Sequence, residues 1–298
     1  MKTLSIRHTL TFAYRGSFAI AVLIAVVSAA GLLFGSAGLS GPDPKPALGV
    51  TEAEAGLLVP DFLALDLYNL VVGLPILLTV LWLTHRGSLI GLLLWPGALF
   101  YMVYTYALYL AGAPFSVLFL AYVAIVAVSG FTLIGVVASI DGEQVRQRLG
   151  GAVPARTIGA ILIGLAILTL AQDASGALLA ALAGGTPLDP LARHVWLADL
   201  ALEVPAMLLG GALLWRHTPL GYVAGAGLLL QFGLTPTGLA AILAFQPILT
   251  AAPLDVGIIV GLLIFSLVCF ASLACFVRGA VQPQRQAASP IAGAEGSS

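Results

Sequence analysis

The chain has 298 residues, of which 60% are hydrophobic and only 8% are charged, and its formal net charge is −1. Soluble domains carry about 25% charged residues, so this composition, with a mean hydropathy of +1.07, excludes a soluble globular protein. The near-neutral charge also excludes a nucleic-acid-binding protein, which needs a basic surface. The two cysteines, Cys269 and Cys275, lie in one apolar run and indicate neither a disulfide framework nor a metal site. The composition therefore predicts a polytopic membrane protein.

A membrane-spanning helix needs about 20 apolar residues, and the chain contains eight such stretches. In chain order they cover residues 16–36, 58–84, 88–111, 115–139, 156–173, 193–215, 219–244 and 255–277. Strands are not supported, because the runs are too long and do not alternate between apolar and polar residues. Turns rich in Pro and Gly separate the runs, as at 41–46 and 111–114. We therefore predict an all-α fold of eight transmembrane helices.

The basic residues predict the orientation, because cytoplasmic loops of membrane proteins are enriched in Lys and Arg. Of the 12 basic residues, only Lys45 and Arg193 fall on one side of the predicted membrane. The others all fall on the opposite side: Lys2, Arg7, Arg15, Arg86, Arg146, Arg148, Arg156, Arg216, Arg278 and Arg285. We therefore expect both chain ends to be cytoplasmic, in a multi-pass protein of the cell membrane.

Two terminal segments have their own interpretations. Residues 18–27, followed by Ser28-Ala29-Ala30, also resemble the core and cleavage site of a signal peptide. The long region before this core, and its apolar continuation through 32–34, favour a retained helix, while cleavage, which would leave seven spans, stays open as the alternative. The tail 280–298 is rich in Ala, Gly, Ser, Pro and Gln, a composition typical of disorder.

The sequence contains an internal duplication. With an offset of 130 residues, the pattern P-x14-P-x10-R-x4-G-x5-G that begins at Pro60 occurs again from Pro190. The flanking spans also match, since Arg15 aligns with Arg156 and Ser116 with Asp255. We predict two four-helix repeats, 1–140 and 156–279, joined by a cytoplasmic linker at 141–155. Because four spans return the chain to its starting side, the repeats share one orientation and a pseudo-twofold axis along the membrane normal, an arrangement that some transporters use.

Polar residues inside the predicted spans are the candidates for function, because they are costly in hydrocarbon. Glu203 is the one acidic residue placed clearly within the hydrocarbon, and Asp199 lies one helical turn before it. On span two, Asp66 and Asn69 occupy the corresponding stripe, and Asn69 is the repeat equivalent of Asp199. Both stripes therefore face the bundle interior or a vestibule. A proline follows each stripe, at Pro75 and Pro205, where it frees a backbone carbonyl.

Further polar side chains reach the same depth. Tyr101 and Gln231 are repeat equivalents on spans three and seven, and Tyr122 enters span four from the outside. The deep Tyr104 joins Tyr101 as a residue that could line a pocket, whereas Tyr106 and Tyr109 are expected in the interfacial aromatic belt. The predicted substrate- or ion-binding residues are thus Glu203, Asp199, Asn69, Asp66, Tyr101, Gln231 and Tyr122.

Glu203 admits two interpretations. Burial and the neighbouring carboxyl of Asp199 disfavour its ionised form, so it would be protonated or bind a cation, and either state suits coupled transport. Alternatively, a neutral Glu203 hydrogen-bonded to Gln231 or Tyr101 would hold helices together.

The leading hypothesis for function is binding or transport of a small solute through an outward-facing pocket, with proton or cation coupling. The alternatives are a membrane-embedded enzyme acting on a lipid, through Asp66, Asp199 and His194, and a structural or accessory subunit. No catalytic motif, metal site or haem-binding pair of histidines is recognisable in the sequence, so no cofactor is expected. The expected partners are the lipid bilayer and a small solute, proton or cation.

The predicted topology can be tested with accessibility tags. Tags at both termini and within 140–156 should report the cytoplasmic side, and tags within 37–56 and 174–192 the outside, because the basic residues are retained in the cytoplasm. A cytoplasmic signal from 174–192 would contradict the count of eight spans and the parallel repeat.

Overall fold

The structure is a computed structural model that describes residues 10–39, 52–113, 116–182, 190–249 and 253–281. The described residues form helices and contain no strand. The α-helices are α1 (Thr11–Leu39), α2 (Glu52–Tyr68), α3 (Leu74–His85), α4 (Leu89–Gly112), α5 (Phe119–Ser139), α6 (Gly142–Leu149), α7 (Ala155–Leu182), α8 (Pro190–Ala198), α9 (Val204–Trp215), α10 (Pro219–Leu249) and α11 (Val256–Val281).

Among these residues, eight helical segments are long and apolar enough to cross a membrane, which confirms the predicted all-helical class and number of spans. Two of the segments combine a pair of α-helices, α2 with α3 and α8 with α9, that continue through a short π-helical turn. Parts of the predicted chain lie outside the described residues: the turn 41–46, Pro114, the tail from 282 on, and the basic residues Lys2, Arg7, Lys45 and Arg285.

Two boundaries differ from the sequence prediction. The fifth span was predicted to end at residue 173, but α7 continues to Leu182. Its Ala- and Leu-rich end favours helix despite the polar pair Gln172 and Asp173. The predicted linker 141–155 contains α6, whose N-terminus is capped by the Asp141 carboxylate. In α6 only Val145 and Leu149 are buried, so its apolar face is too narrow to stand out in a scan for spans.

The two π-helical turns occupy matching positions in the chain. The first covers Asn69–Gly73 and the second Asp199–Glu203, and each lies just before a proline, Pro75 or Pro205. In both, the N–H that follows the turn donates to the carbonyl five residues earlier. Such a turn holds one residue more than the α-helix allows. The distortion of the helix near each proline is thus a π-helical turn. The turns place the polar side chains of Asn69, Asp199 and Glu203 in the interior of the bundle.

The turns that end α3 and α9 are also alike. Each is a Schellman motif, in which Ser88 N donates to Leu83 O and Thr218 N to Leu213 O, both at 3.0 Å. The residue in the left-handed region is Gly87 (φ 78°) in the first turn and His217 (φ 55°) in the second. Glycine adopts this conformation without steric cost, whereas the imidazole of His217 is held by a 2.9 Å hydrogen bond with the Tyr222 hydroxyl.

The first half of the chain comprises α1 to α5, and the second half comprises α7 to α11. The helices of the first half pack in a closed ring, and those of the second half do not. In the first half α1 packs against α2, α3 and α5, and α4 packs against α3 and α5. In the second half α9 packs against both α7 and α10, and α10 packs against α11. Along their described lengths α7 and α11 make at most marginal contact with each other.

The halves meet where α4 crosses α10. A Cβ at Gly97 would overlap the carbonyl oxygen of Gly227, and a Cβ at Gly227 would come within 2.7 Å of Gly97 N. These two positions align at the offset of 130 residues. Two glycines therefore allow the backbones of α4 and α10 to touch, as small residues do in membrane helix pairs.

This crossing generates a stability prediction. Gly97→Val places two methyl groups against the α10 backbone and should lower the free energy of unfolding by about 2 kcal/mol, as measured by denaturation in detergent. Gly130→Val on α5 is the matched control, because a Cβ at Gly130 would meet no atom within 4 Å. Equal stabilities of the two variants would contradict the close crossing.

Candidate binding site

The main cavity of the protein lies between its two halves and has a volume of about 340 Å³. Its walls come from α2 and α4 of the first half and from α7, α8, the second π-helical turn, α10 and α11 of the second. It lies toward the end of the bundle where α2 and α8 begin, away from the Arg86 and Arg216 turns. Most of the wall is aliphatic or aromatic. The polar residues on it are Asp61, Tyr101, Tyr104, Thr105, Thr169, Gln172, Asp173, His194, Asp199, Glu203 and Thr235.

Glu203 and Asp199 both lie on this cavity and are both buried, with 6% and 7% of their surface exposed. Glu203 Oε1 accepts a 2.8 Å hydrogen bond from Gln231 Nε2 on α10. Asp199 Oδ1 accepts a 2.7 Å hydrogen bond from the Tyr104 hydroxyl on α4. The Tyr104–Asp199 bond links the two halves across the cavity.

The carboxyl groups of Asp173, Asp199 and Glu203 line the same cavity and are called here the carboxyl chain. Asp199 is the middle member, because its carboxyl group neighbours those of both Asp173 and Glu203. Two neighbouring carboxylates repel each other unless one of them carries a proton or a cation lies beside them. Asp173 Oδ2 is buried and meets no hydrogen-bond donor among the residues that the structure describes. The chain can therefore hold protons, and it has an acceptor available for a donor that enters the cavity.

Asn69 and Gln231 stand behind the cavity wall, because each is fully buried and bonded to a residue that lines it. The Tyr101 hydroxyl donates to Asn69 Oδ1 at 2.9 Å, and Gln231 Nε2 also donates to Thr235 Oγ1 at 2.9 Å. Each π-helical turn is thus tied to the next span by a side-chain hydrogen bond. Asn69 Nδ2 and Gln231 Oε1 have no hydrogen-bond partner among the described residues.

A second, much smaller cavity of about 10 Å³ lies in the first half, and the predicted site residues Asp66 and Tyr122 line it. Asp66 Oδ1 accepts a 2.8 Å hydrogen bond from the Tyr109 hydroxyl. The Tyr109 ring stacks on Tyr106 and packs against Tyr122, with centroid distances of 5.1 and 5.0 Å. The structure does not bring Asp66 and Tyr122 to the main cavity.

The prediction that Tyr106 and Tyr109 belong to an interfacial belt is wrong. Both are buried, with 0% and 2% of their surface exposed. Their hydroxyls find partners inside the bundle, Ser28 at 3.4 Å and Asp66 at 2.8 Å, so they do not need to reach water.

Of the residues that sequence analysis proposed, Tyr101, Asp199 and Glu203 line the main cavity, and Tyr104 does as well. Two further cavity residues, Thr235 and Asp173, are not among the predicted site residues. Thr235 carries a signal, because it aligns with Thr105 at the repeat offset and both line the cavity. Asp173 was placed at the end of span five, and only the longer α7 puts it inside the bundle.

The cavity is acidic. Four carboxyl side chains and His194 line it, and no Lys or Arg is among its described lining residues. Asp61 is tied down by a 3.0 Å hydrogen bond from Gln246 Nε2. In the described part of the chain no group of His, Cys, Asp and Glu has the geometry to hold a metal ion. The arrangement can accept hydrogen bonds and favour positive charge next to apolar walls.

The residues proposed for a lipid-acting enzyme are divided between the cavities. Asp199 and His194 line the main cavity, but Asp66 lines the small one. No protein family model, curated protein or solved structure matches this chain.

The Glu203–Gln231 hydrogen bond generates a second stability prediction. Glu203→Leu removes the acceptor and should lower the free energy of unfolding by about 1 kcal/mol, whereas Glu203→Gln keeps an acceptor oxygen and should be nearly neutral. Thermal unfolding of both variants in detergent measures the difference. A Glu203→Leu protein as stable as the native one would contradict this bond.

Proposed function

We propose that the protein is a multi-pass protein of the cell membrane that binds and transports a small solute in the main cavity, coupled to a proton or cation at Glu203 and Asp199. The observation that carries this proposal is the cavity itself, which combines ligand size with a carboxyl chain. Ligand pockets occupy about 300–1,000 Å³ and pair apolar walls with a few polar groups. The cavity, at about 340 Å³, has this size and this composition.

The position of the cavity supports transport. In transporters built from repeats, substrates bind at the interface between the repeats. Here α4 contributes Tyr101 and Tyr104 to the same wall that receives Asp199 and Glu203 from the other half. A change in how the halves pack would therefore alter the shape of the cavity and access to it.

Matched local features support the parallel duplication that this scheme uses. The two π-helical turns, the two Schellman motifs and the glycines at the helix crossing all recur at an offset of 130 residues. Gly97 and Gly227 are equivalent positions that touch each other, which is what a twofold axis through the crossing produces. With the distribution of Lys and Arg, this supports an axis along the membrane normal, cytoplasmic chain ends and a cavity that faces outward.

Coupling follows from the chemistry of the carboxyl chain. Without a bound cation its members favour protonation, because neighbouring ionised carboxylates repel each other. A cation next to Asp173 or Asp199 stabilises the ionised form and so favours release of a proton. Solute binding and proton release are thereby linked at one site.

Glu203→Gln tests the coupling, because it keeps the shape of the side chain and removes the exchangeable carboxyl proton. Proteoliposomes with an entrapped pH-sensitive dye report proton movement after external addition of Na⁺, tetramethylammonium or a neutral sugar. We expect at least one of these solutes to move protons through the native protein, and Glu203→Gln to reduce this movement to the level of protein-free liposomes.

The matched control is Glu143→Gln, the same substitution on α6, where Glu143 is paired with Arg146 at 2.6 Å away from the cavity. This variant should move protons as the native protein does. Proton movement with none of the solutes, or undiminished movement by Glu203→Gln, would contradict the proposed function.

A further inference from the structure

The main cavity reaches the outer surface of the bundle between α7 and α11. These two helices make at most marginal contact along their described lengths, whereas their counterparts α1 and α5 pack against each other. The cavity is lined from one side by Leu168 and Gln172 of α7 and from the other by Ile258 and Phe265 of α11. The open side of the second half is therefore a side opening of the cavity.

The rim of this opening lies on the lipid-facing surface of the bundle. Leu168 and Ile258 are both cavity-lining and exposed, with 57% and 52% of their surface accessible. A Cβ at Gly164 or at Gly261, which lie on the same faces of α7 and α11, would meet no atom within 4 Å. An apolar, open rim at bilayer depth connects the cavity to the hydrocarbon of the bilayer.

The first half shows how such an opening can be closed. The small cavity there uses Gly31, Phe62, Asp66 and Tyr109, whose repeat equivalents line the main cavity. Those equivalents are Gln172, Ala192, Trp196 and Leu239.

The position that accounts for the difference in size between the two cavities is Tyr122. Its ring packs on Tyr106 and Tyr109 and fills the space between α1 and α5. The equivalent of Tyr122 on α11 is Gly261, and the equivalent of Tyr106 is Pro236. The second half thus has the same site without the tyrosine rings that occupy it in the first.

The chemistry of the cavity selects the charge of its occupant. The carboxyl chain lines the cavity, and within the described chain Asp173 Oδ2 is buried without a donor and no Lys or Arg lines the cavity. The aromatic rings of Tyr104, Trp196 and Phe265 line the same space, and aromatic faces attract organic cations. An anionic solute would be repelled by the carboxyl groups. A purely polar solute would lose its hydration against the apolar wall.

We propose that the ligand is an amphipathic ammonium compound that enters from the bilayer through the opening between α7 and α11, with its charged nitrogen next to Asp173 and Asp199 and its alkyl part along Leu168 and Ile258. This inference rests on the proposed function and specifies the substrate class of the same site.

Binding of radiolabelled dodecyltrimethylammonium to the protein in lipid nanodiscs tests the proposal, with tetramethylammonium as the probe that has the same head group and no alkyl chain. Gly261→Tyr restores in the second half the ring that closes the first, and Leu168→Trp narrows the opening from α7. Each should weaken binding of the long-chain probe by about tenfold. The controls are Gly135→Tyr on α5, where a Cβ would meet no atom, and Ile167→Trp, an exposed neighbour that does not line the cavity.

We expect the native protein and both controls to bind the long-chain probe more tightly than tetramethylammonium, and Asp173→Asn to weaken binding of the ammonium head group. Equal binding of the two probes, or no effect of Gly261→Tyr and Leu168→Trp, would overturn entry from the bilayer. If those two variants instead change the oligomeric state and leave binding intact, the opening is an interface between copies of the chain. If neither probe binds but Na⁺ or the sugar still moves protons through Glu203, the substrate class is wrong and the proposed function stands.

Discussion

Hydrocarbon offers no hydrogen-bond partner, so every polar group inside the eight apolar helices needs a partner within the chain or the occupant of a cavity. This constraint explains the buried network. Tyr109 binds Asp66, Tyr101 binds Asn69, Tyr104 binds Asp199, and Gln231 binds Glu203. Each bond joins α4 or α10 to a neighbouring span, so the polar groups hold the bundle together. Three of the bonds also hold residues that line the main cavity, which are Tyr101, Tyr104, Asp199 and Glu203.

The two halves differ in how the space beside their buried carboxyl groups is filled. In the first, the rings of Tyr106, Tyr109 and Tyr122 fill the space beside Asp66, which leaves about 10 Å³. In the second, the three ring positions hold the smaller residues Pro236, Leu239 and Gly261. The main cavity beside them has about 340 Å³ and is lined by the three carboxyl groups of the carboxyl chain. The site beside Asp66 is filled by side chains and is therefore closely packed. The main cavity instead presents carboxyl groups and an apolar rim to an occupant. We infer that the filled site stabilises the first half, whereas binding takes place in the main cavity between the halves.

The sequence could predict the eight helices of membrane-spanning length, because apolar length alone identifies them. The repeat, which rests on Pro, Arg and Gly that recur at one offset, stays a prediction. The sequence could place Glu203, Asp199 and Tyr101 at one depth, since helical rise converts sequence distance into height. It could not assign Asp66 and Tyr122 to a different cavity, because lateral packing does not follow from depth. Nor could it foresee the opening between α7 and α11, which depends on a packing contact that one half makes and the other lacks.

The central claim is that the carboxyl chain holds a proton at Glu203 and releases it when a cation enters the cavity. Infrared difference spectroscopy of the carboxylic-acid C=O band measures this directly, with Glu203→Gln as the assignment standard. The account predicts a band from a protonated, buried carboxyl group at neutral pH that is absent in Glu203→Gln and decreases when dodecyltrimethylammonium is added. A native spectrum without this band, or a band that the added cation leaves unchanged, would contradict the account.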